Sequence, residues 1–158
     1  MTDSHGDAKR YAFKLLARRG RSESELRERL TRKGFPGVAI ARAVGSLRQA
    51  GYLDDCALAE DLKREALEKK MLAYQGAKVF MMKRGLPAEV VDSVLGYDEE
   101  RELQNVQKLV DKQLGSKENY LTKREKRRLW NFLARRGYSS GIIRKALKDV
   151  SLSEEEDS

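Results

Sequence analysis

Apolar residues recur at helical spacing along most of this chain, each time as a single stripe on an otherwise polar segment. Ile40, Ala43, Val44 and Leu47 follow i, i+3, i+4, i+7, and so do Ile143, Ala146, Leu147 and Val150. Val91, Val94 and Leu95 give a shorter version. Upstream of these, Leu26 and Leu30 correspond to Ala77 and Met81, and to Leu129 and Leu133. A third stripe precedes each pair: Ala12, Leu15 and Leu16 within residues 8–19, Leu58, Leu62 and Ala66 within 54–70, and Leu103, Val106, Val110 and Leu114 within 98–114. No window keeps the period-two alternation of a strand.

The stripes are organised by a repeat. RKGFPGVAIARAV at 32–44, KRGLPAEVVDSVL at 83–95 and RRGYSSGIIRKAL at 135–147 align, with Gly34, Gly85 and Gly137 spaced 51 and 52 residues apart. In each, two basic residues face the negative end of a finishing helix, and the glycine supplies the left-handed turn that ends it. The apolar residue that follows, Phe35, Leu86 or Tyr138, can fold back onto that helix. Pro36, Pro87 and Ser139 or Ser140 then suit the start of the next. Capping boxes are expected at Ser22 with Glu25 and at Thr122 with Glu125, and caps at Asp54 and Asp98. The expectation is an all-α chain of nine helices in three tandem three-helix repeats, forming an elongated, curved array. Its boundaries are a flexible N-terminal leader at 1–8, repeats at 9–53, 54–97 and 98–150, and a disordered acidic tail at 151–158.

Composition narrows the chemistry. The 158 residues include one cysteine and one histidine, so neither an internal disulfide nor a histidine-based triad can be assembled, and no metal or cofactor is expected. No apolar run reaches the roughly 20 residues of a membrane span. MTDSHGDAKR has no apolar core of a secretory signal, and a reducing cytoplasm is the expected compartment. The carboxylate pair Asp54–Asp55 points to two faces of a helix and reads as capping rather than acid–base chemistry. Cys56 reads as a half-buried small residue, and Met81–Met82 and Trp130–Phe132 read as core. An enzyme is not expected.

The net charge of +8 is unevenly distributed: +7 over residues 1–53, -1 over 54–97, +6 over 98–150 and -4 in the tail. Two basic blocks around a near-neutral middle suit a polyanion or an acidic protein surface. Candidate contacts are Arg18, Arg19, Arg21, Arg27 and Lys33 in the first block, and Lys83 and Arg84 in the middle. Arg124, Arg127, Arg128, Arg135 and Arg136 complete them in the last. Phosphates would be bound through charge and counterion release, carboxylates through bidentate arginine pairs. The bland alternative is that these cations only solvate and terminate helices.

RGRSESELRERLTRKGF at 19–35, LRQAGYLDD at 47–55 and REKRRLWNFLARRGYSSGIIRKAL at 124–147 resemble the RecX regulatory-protein family, bacterial modulators of the RecA recombinase. The resemblance covers about residues 9 to 148. It implies three tandem three-helix repeats and a non-enzymatic protein that lodges along the RecA–DNA filament. There it would suppress ATPase, strand exchange and the co-protease activity behind damage-response (SOS) induction, with some affinity for DNA, directly or through the filament. A monomer is expected. The middle repeat departs from the pattern: Ala73 stands where similar proteins carry glycine, Gly76 appears instead, and Val79 to Met82 run apolar. The alternatives are a stand-alone basic helical DNA-binding protein and a helical scaffold for another partner. The first is disfavoured for sequence readout because GVAIARAVGSLRQ and GIIRKALKD offer few Asn or Gln.

Overall fold

The computed structural model describes residues 3–153. Among them lie nine α-helices: α1 Ser4–Arg18, α2 Glu23–Lys33, α3 Gly37–Gln49, α4 Asp55–Arg64, α5 Tyr74–Lys83, α6 Ala88–Val94, α7 Glu99–Leu114, α8 Lys123–Arg135 and α9 Ser140–Ala146. α4 continues through a π-helical turn, Glu65–Lys69.

The three corners share one hydrogen-bond pattern. Gly34, Gly85 and Gly137 have φ of 98°, 82° and 91°. The amides after them, from Phe35, Leu86 and Tyr138, donate back to the carbonyls of Leu30, Met81 and Leu133 at 3.2, 3.4 and 3.3 Å. A β-carbon resists that left-handed backbone, which is why glycine recurs there. The expected caps also form: Ser22 accepts from the Glu25 amide, Asp98 from Arg101, Ser139 from Ile142, and Thr122 with Glu125 closes a full capping box.

Several expectations are corrected at the edges. Helix α1 begins at Ser4, inside the segment expected to be a flexible leader, because Asp3 accepts from the Gly6 amide and Ala8 is fully buried. Two short strands appear, β1 Tyr120–Leu121 and β2 Ser151–Leu152, paired in parallel. Ser151 and Ser153 donate to Asn119 and Leu121, so the start of the expected disordered tail is ordered; its acidic residues 154–157 lie outside the described residues. Cys56 is exposed rather than half-buried. Met81 is fully buried but Met82 is 44% exposed, as adjacent positions about 100° apart on a helix require.

The chain forms two compact units, and the division falls at the end of α4, within α5 and at the end of α6. One holds the described residues to Lys63 with Phe80–Val94, the other Arg64–Val79 with the residues from Leu95 onward. In the first, α1 and α2 pack on α3 around Leu26, Leu30, Val44 and Leu47. In the second, α7 packs on α9 and α8 around Val106, Val110, Leu133 and Ile143. Each fully buried aliphatic side chain of this kind contributes about 2 kcal/mol.

The same junction is built twice, once in each unit. In the first, Asp55 accepts from the Glu23 amide at 3.0 Å, capping α2 from a distance, and a β-carbon on Gly85 would lie 2.5 Å from Ser22 Oγ. In the second, Glu102 accepts from the Tyr74 amide at 2.9 Å, and the Ala73 amide donates to the Arg136 carbonyl at 3.0 Å. A β-carbon on Gly76 would lie 2.2 Å from that carbonyl oxygen. An acid at the start of one helix therefore caps the second helix of the preceding triplet, and a corner glycine seats against that helix's first turn. This explains both the Asp54–Asp55 pair and the displaced glycine at Gly76. Asp54 caps α4 through the Ala57 amide, while Asp55 serves α2.

Candidate functional site

The arginines of the two basic blocks behave differently. In the first unit, Glu25 is a hub. Its carboxylate accepts from Arg84 Nε at 3.0 Å and from Arg19 Nη2 at 3.1 Å, and Arg21 Nη1 lies 3.7 Å away. Arg84 also donates to the Gly20 carbonyl at 3.0 Å. Pulled toward three guanidinium groups, Glu25 is not available to return a bond to Ser22, so only half of the expected capping box forms. Arg21 is buried, with Nε facing the Leu15 carbonyl at 3.4 Å. Burial, then the neighbouring charges of Arg19 and Arg29, lower its pKa, with Glu25 opposing. Arg27 is held by Glu23 through two bonds of 3.2 and 3.1 Å.

Of the candidates outside the last block, Arg19, Arg21, Arg27 and Arg84 are thus engaged internally. Arg18 and Lys83 are exposed at the ends of α1 and α5, and Lys33 lies with its ammonium 5.3 Å over the Tyr11 ring. These three stand at the ends of three separate helices.

Helix α8 in the second unit presents the opposite case. Leu129 and Leu133 are buried, whereas Arg124, Arg127, Arg128 and Arg135 are all exposed. At 100° per residue these four fall within about 100° of arc on the side away from the leucines, and they span about 16 Å along the axis. None of the ion pairs among the described residues involves them. The fifth candidate, Arg136, differs: it is half-buried and its guanidinium stacks 4.2 Å from the Phe132 ring centroid. The helix starts rigidly, because Thr122 and Glu125 cap it reciprocally. Glu125 also bonds Lys117, and that bond, the first cause, together with the Thr122 amide holds its carboxyl below the usual carboxylate range.

Two buried titratable groups belong to the framework. Tyr138 donates to the Met71 carbonyl at 2.8 Å, and burial pushes its phenol up. Glu102 is 4% exposed, and burial raises its pKa against the lowering effect of the Tyr74 amide. Among the described residues no group of three or more His, Cys, Asp or Glu side chains is placed to hold a metal ion, and no helix is long and apolar enough to cross a membrane. What the α8 face offers, among the described residues, is a cationic surface without ion pairs on a capped helix, fit for a line of phosphates or carboxylates.

Sequence reasoning selected the α8 arginines but not the aromatic side chains beside them. Trp130 and Phe132 are half-buried rather than core, with Trp130 lining a groove that includes Lys123, Lys126 and Arg127. Their position next to the arginines, at i+2 to i+4, is the signal that identifies them.

Comparison with known proteins places this geometry in context. Residues 8–47 match a family model described as the first three-helix domain of RecX, and residues 99–147 match that of the third. The regulatory protein RecX of Amycolatopsis mediterranei is 35% identical over 143 residues, covering 90% of this chain and 82% of its own. That of Thermus thermophilus is 34% identical over 152 residues, covering 95% and 94%. The crystal structure of RecX from Lactobacillus salivarius superposes with a TM-score of 0.76 at 16% identity, covering 95% of this chain and 98% of that one, a likeness of fold.

Proposed function

This chain belongs to the RecX family of regulatory proteins, and on that premise we propose that it modulates a RecA recombinase as a non-enzymatic inhibitor. It acts as a monomer in the cytoplasm, lying along the recombinase–DNA filament and suppressing ATP hydrolysis, strand exchange and co-protease activity. The observation that supports this reading is the α8 face: Arg124, Arg127, Arg128 and Arg135 are exposed on one side of a capped helix and unpaired among the described residues. A filament of protein on DNA is a long, repetitive polyanion, and a rigid row of guanidinium groups binds such an object without base recognition.

The reading divides the candidates. Arg124, Arg127, Arg128 and Arg135 make the primary contact, with Arg18, Lys33 and Lys83 as subsidiary ones. Arg19, Arg21, Arg27 and Arg84 serve the fold through Glu25 and Glu23. Interference follows by occupancy, since a bound array hinders subunit addition, ATP turnover and access of a second DNA.

The experiment is single-stranded-DNA-dependent ATP hydrolysis by the cognate recombinase, titrated with this protein below equimolar ratio. Inhibition at substoichiometric amounts, where the protein alone binds that DNA weakly, supports a filament-directed modulator. Unchanged hydrolysis with tight, salt-sensitive binding to naked DNA refutes it in favour of a stand-alone DNA-binding protein.

A further inference from the structure

Beside the arginine row lies a groove of about 390 Å³ within the second unit. Its walls come from Gln113 and Lys117 on one side and Glu125, Arg128, Phe132 and Arg135 on the other. Leu121 and Leu129, both buried, form its floor. Lys117 and Glu125 bond each other and cancel, so the unbalanced charge facing the groove is that of Arg128 and Arg135. These two stand seven residues apart on α8, about 10 Å along the axis, with Phe132 between them on the same edge. Arg136 does not line the groove and occupies one face of the Phe132 ring, at 4.2 Å.

We propose that this groove is a subsite for one nucleotide of single-stranded nucleic acid. The base packs against the Phe132 ring and the apolar floor, and the flanking phosphates lie on Arg128 and Arg135. The inference rests on the function proposed above and specifies how the α8 face meets its polyanion. Charge alone would serve any row of phosphates or carboxylates. A flat apolar ring set between two cations that are unpaired among the described residues adds a second requirement, a π-face next to a phosphate. Duplex DNA keeps its base faces stacked inside, and an acidic peptide carries no base; an unstacked strand meets both requirements. The volume agrees, since it falls at the small end of the range for ligand sites and takes one nucleotide rather than a run of them.

The test uses the full chain without recombinase. Anisotropy would compare a labelled oligothymidylate with an abasic strand carrying the same number of phosphates. The intact protein binds the thymidylate at least about fivefold more tightly. Phe132→Leu keeps the apolar volume, and it abolishes that preference while leaving abasic binding unchanged; Phe132→Trp restores it. Arg128→Gln with Arg135→Gln weakens both strands alike. Equal binding of the two strands by the intact protein overturns the subsite, as does an equal loss on both strands in Phe132→Leu with helicity intact. Recombinase inhibition is read separately. Its persistence without any base preference removes the subsite and keeps the modulator, and a base preference without inhibition does the reverse.

Discussion

Gly76→Ala is the substitution on which the structure makes its sharpest quantitative demand. In an isolated helix it would help, since alanine exceeds glycine in helix propensity by about 0.8–1 kcal/mol. Here the new β-carbon would lie 2.2 Å from the Arg136 carbonyl oxygen and 2.9 Å from its carbon, far inside contact distance. Both groups are backbone, so no rotamer relieves the overlap. The corner must withdraw by about 1 Å, which breaks the 3.0 Å bond from the Ala73 amide. Overpacking of this kind costs about 1–3 kcal/mol and the lost bond about 1 more. Net of propensity, a destabilisation of about 1–3 kcal/mol is expected. Urea unfolding followed by the fluorescence of Trp130, the single tryptophan and a member of the second unit, is the assay. The midpoint should fall by roughly 0.5–2 M. Gly45→Ala in α3 meets nothing within 4 Å and should stabilise by about 0.5–1 kcal/mol. Gly34→Ala, in equally open space but at φ 98°, should cost about 1–2 kcal/mol through backbone strain alone. A Gly76→Ala midpoint equal to or above that of the unsubstituted protein would refute the seating of the corner on α5.

Other consequences divide framework from contact. Glu25→Ala strands the buried Arg21 without the carboxylate it faces among the described residues and should cost about 3 kcal/mol in thermal or urea unfolding, whereas Arg124→Gln should stay within about 0.5 kcal/mol. Replacing Arg124, Arg127 and Arg128 together by Gln should leave the far-ultraviolet circular dichroism unchanged and reduce the slope of log affinity against log salt on single-stranded DNA by about 2; an unchanged slope would discard the α8 face. Burial raises the Glu102 pKa, so the folded chain holds that proton more tightly than the unfolded one. Its contribution is fully present below the unfolded value near 4.5 and is lost as pH rises through the folded value. Glu102→Gln, which still accepts from Tyr74, should flatten that decline when stability is measured across the acid range.

Much of the fold was legible because it is written in short-range chemistry. Each corner needs only a glycine, the apolar residue after it and a carbonyl five positions back, and all three lie within one window of sequence. The caps at Ser22, Asp98, Thr122 and Ser139 are equally local. The candidate site was legible only in part. Basic residues mark a charged block, and on α8 the spacing of Arg124, Arg127 and Arg128 against Leu129 and Leu133 identifies an outward face. The same inspection gave Arg19, Arg21 and Arg84 the same status, and the fold gathers these three around Glu25.

What separates the two blocks is the position of carboxylates. Sequence by itself determined that this chain is helical, repeated and basic, because those properties depend on residue type and on local spacing along the chain. Only the tertiary structure decided which cations are available. Glu25 meets Arg84 across 59 positions and Asp55 meets the Glu23 amide across 32. Similarly, Gly76 is an ordinary helical glycine until Arg136 is brought against it. Electrostatic pairing and close packing act through space over a few ångströms, and the fold alone sets which distant residues share that space.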